Sequence, residues 1–283
     1  WLKPISGPDP AAFCTACQLG AMMLKHFELE KAILAYCRVR RRQVGNGEAI
    51  SSEIGDGRLR CVAISDTHML HWKIELPPGD VLIHCGDFTN NGTEEECRDF
   101  CDWAKSLSFP HKLLVCGNHD LPCDESWYRE HWKEWHSERQ SSSEIYRMLQ
   151  AAGFEVLHGT SCSIAGVKFY GSPIQPAQPS SRTEMAFGRM RGGQELKEEW
   201  KKIPKDVDVL ITHTPPHQIM DETQYAGKRK KHIGCEILRQ VLYGRRAPAV
   251  HAFGHVHPGY GSLQEPKTLF INCASATDRR GHS

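Results

Sequence analysis

Five short stretches of this sequence carry side chains able to bind divalent metals, and each follows directly on an apolar run. Asp66-Thr67-His68 follows VAIS, Gly86-Asp87 follows LIHC, and Gly117-Asn118-His119-Asp120 follows LLVC. Thr212-His213 follows VDVLI, and Gly254-His255-Val256-His257 follows HAF. Imidazoles, carboxylates and an amide form a ligand set of intermediate hardness, which suits divalent transition metals such as Mn, Fe or Zn. The glycines ahead of Asp87, Asn118 and His255 let the backbone turn tightly and approach an ion. A DxH or GD pair arises by chance, and a lone strand-end histidine is more often a hydrogen-bonded core residue. The informative feature is the order in which the pieces come: DxH, GD, GNHD, H, GHxH.

Such tips can converge only if the runs before them are strands of a common α/β fold, because ligands there collect at the carboxyl ends of strands. The chain supports this. LRCVAIS, DVLIHC and KLLVC read as the first three strands, and Thr93–Leu107 reads as a helix with Thr93 at its cap. EVLHG, SCSIAG and VKFYGS read as short neighbouring strands with glycine turns. A helix near Gln194–Lys202, the strand VDVLIT, a helix near Cys235–Tyr243, and the strands AVHAFG and TLFINCA complete the pattern. This alternation predicts an α/β sandwich rather than separate domains. Trp127, Trp132 and Trp135 are expected on the packing face of a helix. His84 and His251, inside apolar runs, are expected to be core residues rather than ligands.

Residues 1–57 differ in character. Leu19, Met22, Met23, Phe27, Ile33, Leu34 and Cys37 recur at helical spacing, with Arg38, Arg40, Arg41 and Arg42 after them, which predicts an N-terminal helical arm. A turn-rich linker, QVGNGEAISSEIGDG, then separates it from residues 58–283. The arm either packs on the main domain or docks onto a protein partner. Cys14 and Cys17 form a CxxC that fits half a zinc site, a redox pair or plain packing thiols.

Composition narrows the remaining choices. Over 283 residues the formal net charge is +1, apolar residues make up 40% and charged residues 24%, so no whole-molecule field points to a nucleic acid or a membrane surface. No apolar run approaches the ~20 residues of a membrane span. Cys61, Cys85, Cys97, Cys101 and Cys116, of twelve cysteines in all, fall within core elements. Buried thiols of this kind are expected in a reducing compartment such as the cytoplasm. The start at Trp1 reads as processed or trimmed, which leaves organelle import open.

The ordered quintet, from about Leu59 to Thr277, resembles the calcineurin-like metallophosphoesterase superfamily. ISDTH, GDVLIHCGDFT, FYGSP, DVLITH-x-PP, FGH-x-H-x-GYG and INCAS are similar to one small branch of it. That branch holds the animal metallophosphoesterase-domain-containing proteins of the fetal-brain type and phosphodiesterases described as class III cyclic-nucleotide-like. The resemblance implies a sandwich of two mixed β-sheets flanked by helices. It also implies two divalent ions, one held by Asp66, His68, Asp87 and His257, the other by Asp87, Asn118, His213 and His255, with Asp87 bridging. On this pattern a metal-bridging hydroxide attacks a small phosphoester in line with the leaving group, and cyclic nucleotides are among the substrates it suggests. His119 is expected over the phosphate, with Asp120 fixing its tautomer and angle. Two departures stand out: Asp120 replaces the branch's usual Glu, and Ile174, Gln175 and Ala177 replace aromatic residues, which removes a stacking platform for a base. The rival expectation is a fold kept as a structural or interaction subunit of a larger assembly. A nuclease would need an extended basic or aromatic track, and the sequence has none.

Overall fold

The computed structural model describes residues 27–28, 35–40, 58–177, 185–223, 230–244, 247–275 and 277–278. Strands β1 (Ala35–Arg40), β2 (Arg58–Ile64), β3 (Val81–His84), β4 (His111–Leu114) and β5 (Phe154–Val156) form one sheet in that order. β1 is antiparallel to β2, and the other pairs are parallel. The second sheet uses β6 (Thr160–Ile164), β7 (Val167–Ser172), β8 (Val209–Thr212), β9 (Val250–Phe253), β10 (Gly261–Gln264) and β11 (Leu269–Asn272). Its order is β10-β11-β9-β8-β7-β6, parallel in the centre and antiparallel at both edges. Both sheets are thus mixed, as the resemblance implied.

The continuous apolar runs become strands covered on both faces, the usual fate of parallel strands. One set of alternating residues, including Cys61, Ala63, Val81, Ile83, Val209, Ile211 and Val250, meets between the sheets as the central core. The opposite set on the first sheet, Val62, Ile64, Leu82 and Leu114, lies under α1 (Glu94–Lys105), α2 (Glu125–Trp135) and α3 (Ser142–Ala151). Trp127, Trp132 and Trp135 pack against this layer as expected. On the second sheet Leu210, Phe253 and Phe270 lie under α4 (Gln194–Lys201) and α5 (Glu236–Tyr243). Thr93 caps α1 in a reciprocal capping box with Glu96, the arrangement that satisfies two orphan N–H groups at once.

At one end of the sandwich the two sheets join. Ser65 bridges Ala274 in parallel, and Ser275 N–H donates to the Ser65 carbonyl at 2.7 Å. The carboxyl ends of β2, β3, β4, β8 and β9 therefore open on the same side, and every motif singled out above follows one of them.

The helical arm needs correcting. Ala35–Arg40 is not the end of a helix but an edge strand, and Phe27–Glu28 pairs antiparallel with Thr277–Asp278. AYCRVR alternates small or apolar residues with Tyr and Arg, a period of two, and β2 offers it an edge to pair with. Its pairing with β2 joins residues from either side of the expected boundary between 57 and 58. Leu19, Met22, Met23, Ile33, Leu34, the CxxC and the linker lie outside the described residues. Cys61, Cys85, Cys97, Cys101 and Cys116 are buried free thiols. Among the described residues no helix is long and apolar enough to cross a membrane.

Candidate metal centre

Two groups of side chains form where the strands run out. Asp66, His68 and His257 make one and Asp87, His213 and His255 the other, with the ligand atoms of each within 4.8 Å of one another. Asn118 joins the second group, its Oδ1 lying 2.9 Å from His213 Nε2. All seven expected ligands are thus together. Asp87 stands between the groups, with Oδ2 3.4 Å from His213 Nε2 and 3.8 Å from His68 Nε2.

The backbone is bent to achieve this. Asp66, His68, Asp87 and His255 all have φ between 41° and 67°, a left-handed region costly for side chains other than glycine. The loops that hold them there brace one another: Asp66 N–H donates to the Gly86 carbonyl at 2.8 Å and His68 N–H to the Asp87 carbonyl at 3.1 Å. The carboxylates are braced as well, Asp66 accepting from His255 N–H and Asp87 from His119 N–H, both near 2.8–2.9 Å. Gly117 and Gly254 are required for a different reason, since a Cβ would overlap the Asp87 carboxylate at the first and the Asp66 carboxylate at the second.

Tautomers follow from the partners. His213 Nδ1 lies 2.8 Å from the Cys85 carbonyl and His68 Nδ1 3.2 Å from the Thr89 carbonyl. A carbonyl only accepts, so both Nδ1 atoms carry hydrogen and each Nε2 turns to the site. At His213 Nε2 the Asn118 amide oxygen, an Asp87 oxygen and His255 Nδ1 converge at 2.9–3.4 Å. That many lone pairs at one point call for a cation, which is the fit a divalent metal requires.

Electrostatics agree. Burial alone would raise Asp66, but the hydrogen bond and charge of His257 hold it well below the carboxylate range. Asp87 is held down in the same way, with His213 and His119 outweighing its burial. Burial, then neighbouring imidazoles, push His68 and His255 down to about 3, which keeps them neutral as metal ligands must be. Burial works against charge at His213 too, yet Asp87 and Asp66 carry it up to about 9.

His119 sits at the edge of the groups, half-buried, with its ring edge-on to His68 at 4.9 Å. Its Nδ1 lies 2.7 Å from the Asn90 carbonyl. Here the expected role of Asp120 is overturned. Asp120 is fully buried and accepts from Asp87 N–H, Gly117 N–H, Thr89 N–H and the Thr89 hydroxyl at 2.7–3.1 Å. It ties two metal loops together, while the Asn90 carbonyl orients His119. Burial and Asp87 push Asp120 up to about 8, against the pull of these donors. The residues missed in the sequence are Cys85, Thr89 and Asn90, whose carbonyls anchor three histidines. They work through the backbone and leave no side-chain signature beyond flanking the GD pair.

His84 and His251 are core residues as expected. His84 accepts from Gly86 N–H and pairs with the Thr67 hydroxyl, and His251 Nε2 meets the Thr212 hydroxyl at 2.8 Å.

A family model described as calcineurin-like phosphoesterase matches residues 59–259. Metallophosphoesterase domain-containing protein 1 of Homo sapiens is 34% identical over 230 residues, covering 78% of this chain and 67% of its own. A UPF0046 protein of Caenorhabditis elegans is 39% identical over 233 residues, covering 80% and 73%. A probable glycerophosphodiester phosphodiesterase of Arcobacter nitrofigilis is 29% identical over 191 residues, covering 67% and 60%. A solved structure 17% identical superposes with a TM-score of 0.53 over 79% of this chain and 96% of its own, a likeness of fold alone.

Proposed function

The chain belongs to the calcineurin-like phosphoesterase family, and from that premise we propose that it is a dinuclear metal-dependent phosphodiesterase. The observation that carries this reading is the position of Asp87, one carboxylate within reach of His213 on one side and His68 on the other. Asp66, His68 and His257 would hold one ion with Asp87, and Asn118, His213 and His255 the other. When bound, the two ions supply a water of lowered pKa as nucleophile and offset the charge on the phosphate oxygens. The chain's own contribution is to keep His68 and His255 neutral, fix the tautomers of His68, His213 and His119 from the 85–90 backbone and hold both carboxylates ionised. His119 adds a proton. With Nδ1 turned to Asn90, its Nε2 is the ring nitrogen left to meet the substrate, where it donates to the departing oxygen. The similarity to a probable glycerophosphodiester phosphodiesterase supports diesters over monoesters.

Two variants test the division of roles. Asp87→Ala should lose bound metal and all hydrolysis of a diester panel. His119→Ala should keep both ions and lose about 10²–10⁴ in rate, the usual range for a proton donor. Elemental analysis showing two ions still bound in Asp87→Ala would overturn the assignment.

A further inference from the structure

Against the second metal group lies a cavity of about 110 Å³, open on one side, with Asn118 and His255 in its lining. Among the described residues, Pro176, Ala177, Met185, Gly188 and Gln175 line it as well. Gln175 is buried, and its amide nitrogen already donates to the Ala186 carbonyl at 3.1 Å. Among the described residues its lining is therefore mostly apolar, and two candidate ligands, Asn118 and His255, belong to it.

This wall is built rather than incidental. Residues 175–176 and 188–189 pair as parallel strands, and Ala177 N–H donates to the Arg189 carbonyl at 2.7 Å. Between them Phe187 is fully buried with φ 63°, a strained value for a bulky residue. Asp124 holds it there, accepting from Phe187 N–H at 2.8 Å with one oxygen and from Trp127 N–H at the start of α2 with the other. Asp124 follows shortly after Asp120, so the turn that shapes the metal loop also anchors the cavity wall.

We propose that this cavity receives one ester substituent of the substrate, and that the substrates are phosphoesters of compact apolar alcohols or phenols. The inference rests on the phosphodiesterase reading and adds its selectivity. A phosphorus centre held at Asn118 and His255 lies against this cavity and can direct one of its arms into it. A dry apolar cavity of roughly 150 Å³ accepts benzene, so this smaller but open one takes a short alkyl chain or a single ring. A nucleobase is larger, and its polar edges would lose hydrogen bonds to water against a mostly apolar wall whose Gln175 amide nitrogen is already engaged.

The test is equilibrium binding, which needs no turnover. Methyl-, butyl- and phenylphosphonate are titrated by calorimetry into the manganese-loaded protein, with adenosine 5′-monophosphate as comparison. Butyl- and phenylphosphonate should bind about ten- to a hundredfold tighter than methylphosphonate, as burial of that much apolar surface predicts. The nucleotide should bind no tighter than methylphosphonate. Ala177→Phe and, as a milder filling, Ala177→Leu should bring the phosphonate series within about threefold. A flat series in the unaltered protein, or a gain that persists in both variants, overturns the subsite even if diesters are hydrolysed. Tight phenylphosphonate binding without hydrolysis of any diester overturns the catalytic reading instead.

Discussion

Replacing Asp120 by Asn separates a scaffold role from a chemical one. Its Oδ1 accepts from Thr89 N–H and the Thr89 hydroxyl, and its Oδ2 from Asp87 N–H and Gly117 N–H. Above about pH 8, where Asp120 is ionised, an amide in its place keeps one oxygen and puts an NH₂ where the other was, so two buried donors face a donor. Each donor left unsatisfied costs ~1–3 kcal/mol, giving a loss of about 2–6 kcal/mol. The Thr89 hydroxyl also lies 3.2 Å from the His119 carbonyl and can turn to it, so the lower half of that range applies if Oδ1 becomes the nitrogen. The same change loosens the 86–89 and 117–120 loops, which carry Asp87 and Asn118, so metal affinity should fall with stability. Denaturant unfolding, with occupancy measured by elemental analysis, reads both. Full stability and full metal content with the rate loss of His119→Ala would refute the argument, because Asp120 would then be acting through His119.

Two pH effects follow from the buried histidines. To ligate a metal, His213 must give up the proton that Asp87 and Asp66 hold on it up to about pH 9. Ion binding at pH 7 should therefore release about one proton into solution, seen as buffer-dependent calorimetric heat, and affinity should weaken roughly tenfold per unit as pH falls. His84 and His251 are held down to about 3 by burial. The unfolded chain takes up protons below pH 6.5 that the folded chain refuses, so this stability is intact above 6.5 and is lost as pH falls toward 3. At pH 5 the loss is about 2 kcal/mol per histidine. His251→Phe should remove about 2 kcal/mol of the difference between unfolding at pH 7.5 and pH 5; an unchanged difference would count against burial as the cause.

Metal chemistry dictated residue types, and strand burial dictated apolar runs, so the tips and the sheets were legible together. VLIH, VLIT and VHAF could only be covered strands once each was followed by a ligand. Helix α3 passed unnoticed although Ser141 caps it by accepting from Glu144 N–H, because its short stripe over SSSEIYRMLQA sits among polar residues. AYCRVR was misread for a physical reason: six residues hold too few repeats to separate a period of two from one of 3.6, and only the partner strand decides. Asp120 was misread because adjacency in sequence suggested contact with His119. The backbone instead turns between them, sending the histidine outward and the carboxylate inward.

What no side-chain pattern could show is the backbone conformation at the ligands. Asp66, His68, Asp87 and His255 occupy left-handed values, each costing ~1–3 kcal/mol, although local preference would put glycine there. Glycine has no ligand atom, so chemistry overrules the preference and the surroundings must impose the conformation. They do so with the same groups that tune the site. Asp66 and Asp87 accept the N–H groups of His255 and His119, and the 85–90 segment anchors three imidazoles through its carbonyls. Strain, tautomer and charge at this site are thus set by one network, and Asp120, which ligates nothing in this arrangement, is the residue that closes it.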